Sequence, residues 1–184
     1  MTGKQHMVIG TTASVTMSAF LVMNNTINSP LPIACLIGGS FVGSYMPDID
    51  SEKSKASTAF NKVLAVLIIL FTITYVSGQL LMVENLLNWI KINKESLIGI
   101  ITFSIVTILG KLSPHRMFTH KILGTALFCY SIYLMGNLYF TFGFILGYLL
   151  HIVCDKFTKN GKYLTFFEFK LPCKNSKNKT KISW

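Results

Sequence analysis

Histidine and aspartate, the side chains best suited to bind and activate a divalent metal ion, are grouped rather than scattered in this sequence. The four histidines and the three aspartates fall in four short polar clusters, each at the end of an apolar run. Because ionisable groups are costly to place in so apolar a chain, their grouping predicts one assembled metal site. The candidate ligands are His6, Asp48, Asp50, His115, His120, His151 and Asp155.

His151 and Asp155 have the spacing of two ligands on one helix. Residues four apart share a helix face, so both side chains can reach one ion. A histidine–aspartate hydrogen bond without a metal is an equal alternative for this pair. Thr158 continues the same face, where it would contact a substrate. His6 follows a Thr2–Gln5 capping box, which predicts that it lies in the first turns of a helix.

The sequence Pro47-Asp48-Ile49-Asp50 follows an apolar run. Pro47 is expected to end or kink the helix before it. In an extended stretch, Asp48 and Asp50 would point the same way and present paired carboxylates to one or two metals. The alternative is a helix C-terminal turn with solvated acids, which would oppose the helix dipole unless a cation offset them. Either carboxylate that is not a ligand could serve as a general base.

The stretch 113–120 contains two histidines and the only arginine of the chain. Ser113 as N-cap and Pro114 as first residue predict a helix start, with His115 and Arg116 in its first turn. Such an end binds anions, and the guanidinium fork suits phosphate. His115 and His120 would lie about 140° apart on a regular helix, so both reach one metal only if the turn is irregular or if two metals are bound.

Six apolar runs must position these clusters, at residues 7–23, 31–46, 63–83, 97–110, 122–135 and 138–153. Only the third reaches the length of about 20 residues that crosses a bilayer comfortably. The others are short and rich in Gly, Ser and Thr, which favours close helix packing. The sequence predicts an all-α membrane bundle of four to six transmembrane or half-embedded helices, with a tight turn at Gly136-Asn137 between the last two.

Composition agrees with a membrane protein of one domain. The chain has 184 residues, a mean hydropathy of +0.52 and 13% charged residues, against about 25% in soluble domains. Eight lysines follow Asp155, and this basic end favours anionic lipid headgroups over nucleic acid. The four cysteines show no zinc-ribbon spacing and no disulfide pattern, with Cys154 a less favoured soft ligand. The first segment is expected to be retained rather than cleaved as a signal sequence.

The positive charges give the orientation. With six spans, only Lys91 and Lys94 of the seventeen lysines and arginines fall on the alternate side. The positive-inside rule then places both termini in the cytoplasm. The same orientation brings all seven candidate ligands to one membrane face, which favours a shared site.

Four motifs in order, T-G-K-x-H, P-D-I-D-S, H-R-x-x-T-H and G-Y-x-x-H-x-x-x-D-x-x-T-x-x-G, resemble the YdjM-type family over about residues 1–165. These bacterial inner-membrane proteins are described as metal-dependent hydrolases, distantly similar to the zinc-dependent phospholipase C and P1 nuclease group. The resemblance implies zinc, with manganese as the alternative, and phosphodiester hydrolysis. Departures at Lys121 and over residues 163–169 concern substrate contacts. The motif positions are His6, Asp48, Asp50, His115, Arg116, Thr119, His120, His151, Asp155, Thr158 and Gly161.

Together these observations predict a membrane-embedded hydrolase domain over residues 1–165 and a basic cytoplasmic tail over 166–184. The expected substrate is a lipid-linked phosphoester, with Asp50, Arg116 and Thr119 catalytic and Arg116, Lys121 and Thr158 contacting the substrate. A non-catalytic metal-binding or transport protein is the alternative, although transport sites usually lie nearer the membrane midplane. An intramembrane zinc protease would need H-E-x-x-H, which this sequence lacks.

Overall fold

The computed structural model describes residues 3–51, 54–76, 93–113 and 117–158, and within these ranges the chain is all-α. Each of the six predicted apolar runs forms a helix. The elements are α1 (Gly3–Met23), α2 (Pro30–Tyr45), a 3₁₀ helix (Met46–Asp50), α3 (Lys55–Val76), α4 (Lys94–Leu112), α5 (Ile122–Leu134) and α6 (Leu138–Lys156).

The ends of the helices follow local sequence signals. α2 stops at Tyr45 because Pro47 cannot continue its hydrogen-bond pattern. The predicted turn between α5 and α6 is confirmed: Gly136 has a positive φ of 85°, and the Asn137 side chain accepts a hydrogen bond from Phe140 N. α3 begins at Lys55, eight residues before the predicted run, because the polar stretch ahead of that run is also helical. The end of that run, 77–83, lies outside the described residues.

Glycines bring α2 and α6 into main-chain contact. Gly39 and Gly43 on α2 face Gly143 and Gly147 on α6, and each pair has four-residue spacing. A Cβ at any of the four would meet the backbone of the opposite helix, at Phe140, Phe144, Leu36 and Ser40 respectively. This is the small-residue packing expected of helices in a membrane, and it fixes the end of α2 against the end of α6.

A buried stripe of α1 lies against this pair. His6, Gly10, Ser14 and Ser18 recur every four residues and therefore share one face. The three side chains in the stripe are at most 4% exposed. The Ser40 hydroxyl donates to the Gly10 carbonyl at 2.8 Å, which joins α2 to α1. The first turn of α1 is thereby held beside the ends of α2 and α6.

α4 and α5 complete the bundle around an aromatic core. Phe128 of α5 and Tyr148 of α6 are fully buried in it. Near the end of α4, a Cβ at Gly110 would lie 3.0 Å from the Thr119 methyl and 3.3 Å from Ile49. The loop before α5 and the 3₁₀ helix therefore meet over Gly110.

Three helices are long and apolar enough to cross a membrane, α1 from Lys4, α4 and α6, and α5 is a shorter apolar helix. Large apolar side chains on these helices face outward, among them Phe20, Ile105 and Phe142, each more than half exposed. Such surfaces suit a lipid solvent, where outward polar groups would be costly. The number of complete spans stays a prediction.

Candidate metal centre

The candidate ligands meet because every contributing helix begins or ends at the same end of the bundle. α1 and α5 begin there, and α2 and α6 end there. His115 lies outside the described residues, so its contribution stays a prediction. The six predicted ligands that come together are His6, Asp48, Asp50, His120, His151 and Asp155.

The two aspartates after Pro47 do not lie on an extended strand, as one sequence interpretation expected. They lie in the 3₁₀ helix, where three residues make a turn and residues two apart point in different directions. Asp50 is buried and faces Thr119 and His120. Asp48 faces His151, and its side chain is 24% exposed. The prediction of parallel paired carboxylates is therefore wrong, because the chain keeps turning after α2.

His151 is oriented by a main-chain carbonyl. Its Nδ1 lies 2.7 Å from the Ser44 carbonyl oxygen, and because a carbonyl only accepts, Nδ1 carries the proton. Its Nε2 lies 3.5 Å from Asp48 Oδ1 and makes no hydrogen bond within the described residues. Metal-binding histidines commonly donate their other ring N–H in this way, so Nε2 is the atom of His151 that could bind a metal ion.

His120 is oriented by a hydroxyl. Thr119 Oγ1 lies 2.8 Å from Asp50 Oδ2 and 3.0 Å from His120 Nδ1. A carboxylate only accepts, so the one Thr119 proton goes to Asp50 and the hydroxyl oxygen accepts from His120 Nδ1–H. The opposite nitrogen, Nε2, lies 3.5 Å from Asp155 Oδ2. Asp50, Thr119 and His120 thus form a chain that turns Nε2 toward Asp155.

His6 closes the other side of the centre. Its Nε2 lies 3.0 Å from Asp155 Oδ1, a hydrogen-bond distance. Its ring stacks on that of His151, with centroids 3.9 Å apart and planes 20° from parallel. His6 therefore contacts both His151 and Asp155, and the three residues form one group of candidate ligands.

The donor atoms fit a divalent metal. His6, His151 and Asp155 form one group, and Asp48, His120 and His151 form another, and within each group the donor atoms all lie within 4.8 Å of one another. Because Ser44 engages Nδ1 of His151, Nε2 is the shared atom, and one lone pair binds one ion. The two groups therefore overlap at His151 and cannot each use it for a separate ion.

The spacing of the facing donors also fits a metal better than a hydrogen bond. The His151–Asp48 and His120–Asp155 nitrogen–oxygen distances are both 3.5 Å. N–H···O hydrogen bonds are usually about 2.7–3.2 Å long. Two N or O ligands about 2.0–2.2 Å from one tetrahedral zinc lie about 3.4 Å apart. Zinc is therefore compatible with both pairs without large movement.

Electrostatics favour a cation at the same place. Asp48, Asp50 and Asp155 lie near the C-terminal ends of α2 and α6, where the helix dipoles are already negative. Burial alone would lower the pKa of His120, but the neighbouring Asp155 and Asp50 carboxylates outweigh it and raise the pKa to about 9. Burial alone would raise the pKa of Asp48, but the interaction with His151 outweighs it and holds the pKa below its usual value.

The helix predicted to start at Ser113 does not continue through residues 117–120, and its predicted first turn lies outside the described residues. Ser113 instead ends α4, and its hydroxyl accepts a hydrogen bond from Phe118 N at 3.2 Å. Residues 117–120 form turns, and α5 begins only at Ile122, after Lys121. Gly110 explains the difference, because the loop packs against α4 there instead of continuing as a helix. Pro114, His115 and Arg116 lie outside the described residues.

Two further predicted contact residues lie near the centre. Lys121 is 6% exposed and immediately precedes α5. Thr158 is half-buried, and its hydroxyl donates to the Asp155 carbonyl at 2.7 Å, so in this structure it supports the end of α6. Cys154 belongs to neither donor group in the part of the chain that the structure describes.

Comparison with protein families completes the identification. The model of the YdjM inner membrane protein family matches residues 1–168. The chain belongs to this family. The match spans all six helices and every candidate ligand, and it confirms the resemblance drawn from the four motifs. Searches of curated proteins and of solved structures found no match, and the distant similarity to phospholipase C stays a prediction.

In this YdjM family member, two supporting residues were given no role from the sequence, although one of them, Tyr148, is the tyrosine of the G-Y-x-x-H motif. Tyr148 is fully buried and its hydroxyl donates to the Thr119 carbonyl at 2.6 Å. Its position three residues before His151 was an available signal, since both lie on one helix face. Ser44 acts through its main-chain carbonyl, for which no residue type gives a signal.

Proposed function

We propose that this YdjM family member is a membrane-embedded hydrolase of phosphoesters that depends on a divalent metal, with zinc expected and manganese the alternative. The observation that carries the proposal is the orientation of His151 and His120. Each has Nδ1 engaged by a neutral acceptor and Nε2 directed at a buried or half-buried carboxylate 3.5 Å away. A positive charge between each Nε2 and its carboxylate stabilises this arrangement; at His120 a proton supplies that charge in the metal-free protein, and a metal ion that displaces it would bind both the nitrogen and the carboxylate.

When bound, such an ion would lower the pKa of a water molecule and polarise a phosphoryl oxygen. The chain's own carboxylates then divide the remaining work by their accessibility. Asp50 is fully buried and holds Thr119 and His120 in position. Asp48 faces the proposed ion with Oδ1 and is partly exposed, so its second oxygen, Oδ2, is better placed to accept a proton from an attacking water. We therefore assign the role of general base to Asp48 and that of positioning group to Asp50.

The phosphate would need positive or N–H groups beside the ligands. The first turn of α5 has free backbone N–H groups, and the buried Lys121 immediately precedes that turn. Arg116 keeps its proposed role as a bidentate phosphate contact. These groups replace the helix start at Ser113 that the sequence suggested.

A lipid-linked phosphoester is the proposed substrate class. The centre lies at the ends of the helices, at the level where headgroups lie when the bundle is in a membrane. We place this end on the cytoplasmic side, from the distribution of lysines. The basic end after Asp155 is proposed to bind anionic headgroups; apart from its first residues it lies outside the described chain.

The test begins with metal content. Protein purified in lipid nanodiscs is expected to hold zinc or manganese, and His151→Ala to lose it. Thr16→Ala is a matched control, because Thr16 is an exposed polar residue on α1 that bonds only within its own helix. Wild-type protein that carries neither metal and binds neither on titration would exclude the proposal.

Hydrolysis is then measured on phospholipids, polyprenyl phosphates and a generic phosphodiester. Arg116→Lys is expected to keep the metal but lose about 10-fold in rate, which corresponds to about 1.4 kcal/mol in the transition state. His151→Ala should lose metal and activity together. Metal binding with no cleavage of any phosphoester would instead support the non-catalytic metal-binding alternative.

A further inference from the structure

Pro47 is buried at the junction between α2 and the two aspartates of the metal centre. Proline has no backbone N–H, so position 47 donates no main-chain hydrogen bond. In a regular α-helix the N–H of residue 47 would pair with the carbonyl of Gly43, and in a 3₁₀ helix with that of Ser44. Neither bond can form here.

The hydrogen-bond pattern changes from α-helical to 3₁₀ around this position. One residue earlier, the N–H of Met46 still pairs with the Val42 carbonyl in the α-helical manner. One turn later, Ser51 N donates to the Asp48 carbonyl in the 3₁₀ manner, at 3.1 Å. Between them, the Ser44 carbonyl accepts Nδ1–H of His151 at 2.7 Å. The donor to the Ser44 carbonyl is thus His151, which is common to both groups of candidate ligands.

We propose that Pro47 is a positioning residue for His151. Because residue 47 lies in a 3₁₀ helix, an N–H there would compete for the Ser44 carbonyl. Proline removes that N–H, leaves the carbonyl for Nδ1 of His151 and so directs Nε2 toward Asp48. The effect on metal affinity rests on the proposed metal site, whereas the effect on the proton at Nδ1 does not. Partners of this kind fix both the tautomer and the orientation of the ring.

The first test compares Pro47→Ala with Pro30→Ala. Pro47 lies just after the C-terminal end of α2, whereas Pro30 lies in its first turn. An N–H at position 30 would have no acceptor within the helix, so its loss changes nothing there. Zinc titration in nanodiscs should show about 10- to 100-fold weaker binding for Pro47→Ala and unchanged binding for Pro30→Ala. Wild-type affinity in Pro47→Ala would overturn the proposal.

The second test detects the proton at Nδ1 directly and does not need Pro47→Ala to fold. The metal-free wild-type protein is labelled with ¹⁵N-histidine, and the signal of His151 is assigned by its disappearance in His151→Asn. That signal should show a proton at Nδ1. A bare Nδ1 would overturn the proposal. A proton at Nδ1 in a protein that binds no zinc would uphold this inference while the proposed function fails.

The same measurement separates positioning from a simple bend in the chain. If Pro47 acts through the Ser44 carbonyl, Pro47→Ala should weaken the hydrogen bond at Nδ1 and change the tautomer balance of His151. If Pro47→Ala binds zinc more weakly while His151 keeps its wild-type Nδ1 signal, Pro47 serves only to bend the chain, and the proposal is wrong.

Discussion

Replacing Gly39 by alanine should destabilise the bundle, while the same change at its neighbour Gly38 should not. A Cβ at Gly39 would meet the Phe140 carbonyl and Phe144 N of α6, whereas nothing lies within 4 Å of a Cβ at Gly38. Both positions are inside α2, so each gains about 1 kcal/mol of helix propensity from alanine. That gain cancels when the two variants are compared.

The difference between the variants therefore isolates the packing at the interface. Overpacking a tight contact costs about 1–3 kcal/mol, and a backbone neighbour cannot move aside as a side chain can. Gly39→Ala should be less stable than Gly38→Ala by that amount. The free energy of unfolding is measured by circular dichroism during SDS titration in mixed micelles. A difference below about 0.5 kcal/mol, within the range of ordinary surface substitutions, would refute the main-chain contact between α2 and α6.

The same comparison reaches the metal centre. α2 leads into Asp48 and Asp50, and α6 carries His151 and Asp155, so separating the helices separates the ligands. Gly43→Ala, one turn nearer the centre and against Phe144 O, should reduce zinc affinity more than Gly39→Ala. Gly38→Ala should leave zinc affinity unchanged. Equal zinc affinities in all three variants would show that the ligands do not depend on this packing.

Four other outcomes are expected. Thr119→Val keeps the shape of the side chain but loses the hydroxyl between Asp50 and His120, so it should weaken zinc binding by about 10- to 100-fold. Thr119→Ser should bind zinc about as tightly as wild type in isothermal titration. An equal loss of affinity in both variants would show that the methyl group, and not the hydroxyl, is required. Because zinc must displace the proton that His120 holds with a pKa of about 9, zinc affinity should rise by up to about 10-fold per pH unit below pH 9 and level off above it. For the same reason, the metal-free protein should lose stability as the pH rises from 6.5 through 9, the range between the ordinary and the folded pKa; a flat thermal unfolding profile over that range would contradict the His120 contacts. Reporter fusions after Asn24 and Trp89 should read outside and one after Trp184 should read inside, and the opposite pattern would reverse the proposed orientation.

The sequence was sufficient to predict the helices and to predict that the polar clusters lie at one end of the bundle. Each apolar run is long enough to form a helix in a nonpolar solvent, and alternating directions bring the polar clusters to one face. The pairing of His120 with Asp155 and of His151 with Asp48 could not be read from the sequence. This pairing depends on how closely α2 approaches α6. The glycines permit that approach, but the sequence does not show which helix each glycine faces.

The sequence-based predictions of local structure were wrong where tertiary contacts outweighed local sequence signals. Ser113-Pro114 is a strong helix-start signal, yet Ser113 ends α4 and accepts a hydrogen bond from Phe118 N. The open position at Gly110 lets that loop pack inward. After Pro47, the sequence was compatible with both an extended stretch and a helical turn. The structure has a 3₁₀ turn, in which Asp50 contacts Thr119 and Asp48 faces His151.

The glycine contact between α2 and α6 makes the proposed ion a structural ligand as well as a chemical one. An ion that binds the assembled centre and not the separated helices stabilises the fold by mass action, by about 2.7 kcal/mol at 100 times its dissociation constant. At these glycines main chain lies against main chain, so a shift of one helix is passed directly to the other. The fraction of this protein that is folded, and therefore its resistance to membrane proteases, would then follow the supply of metal in the cell.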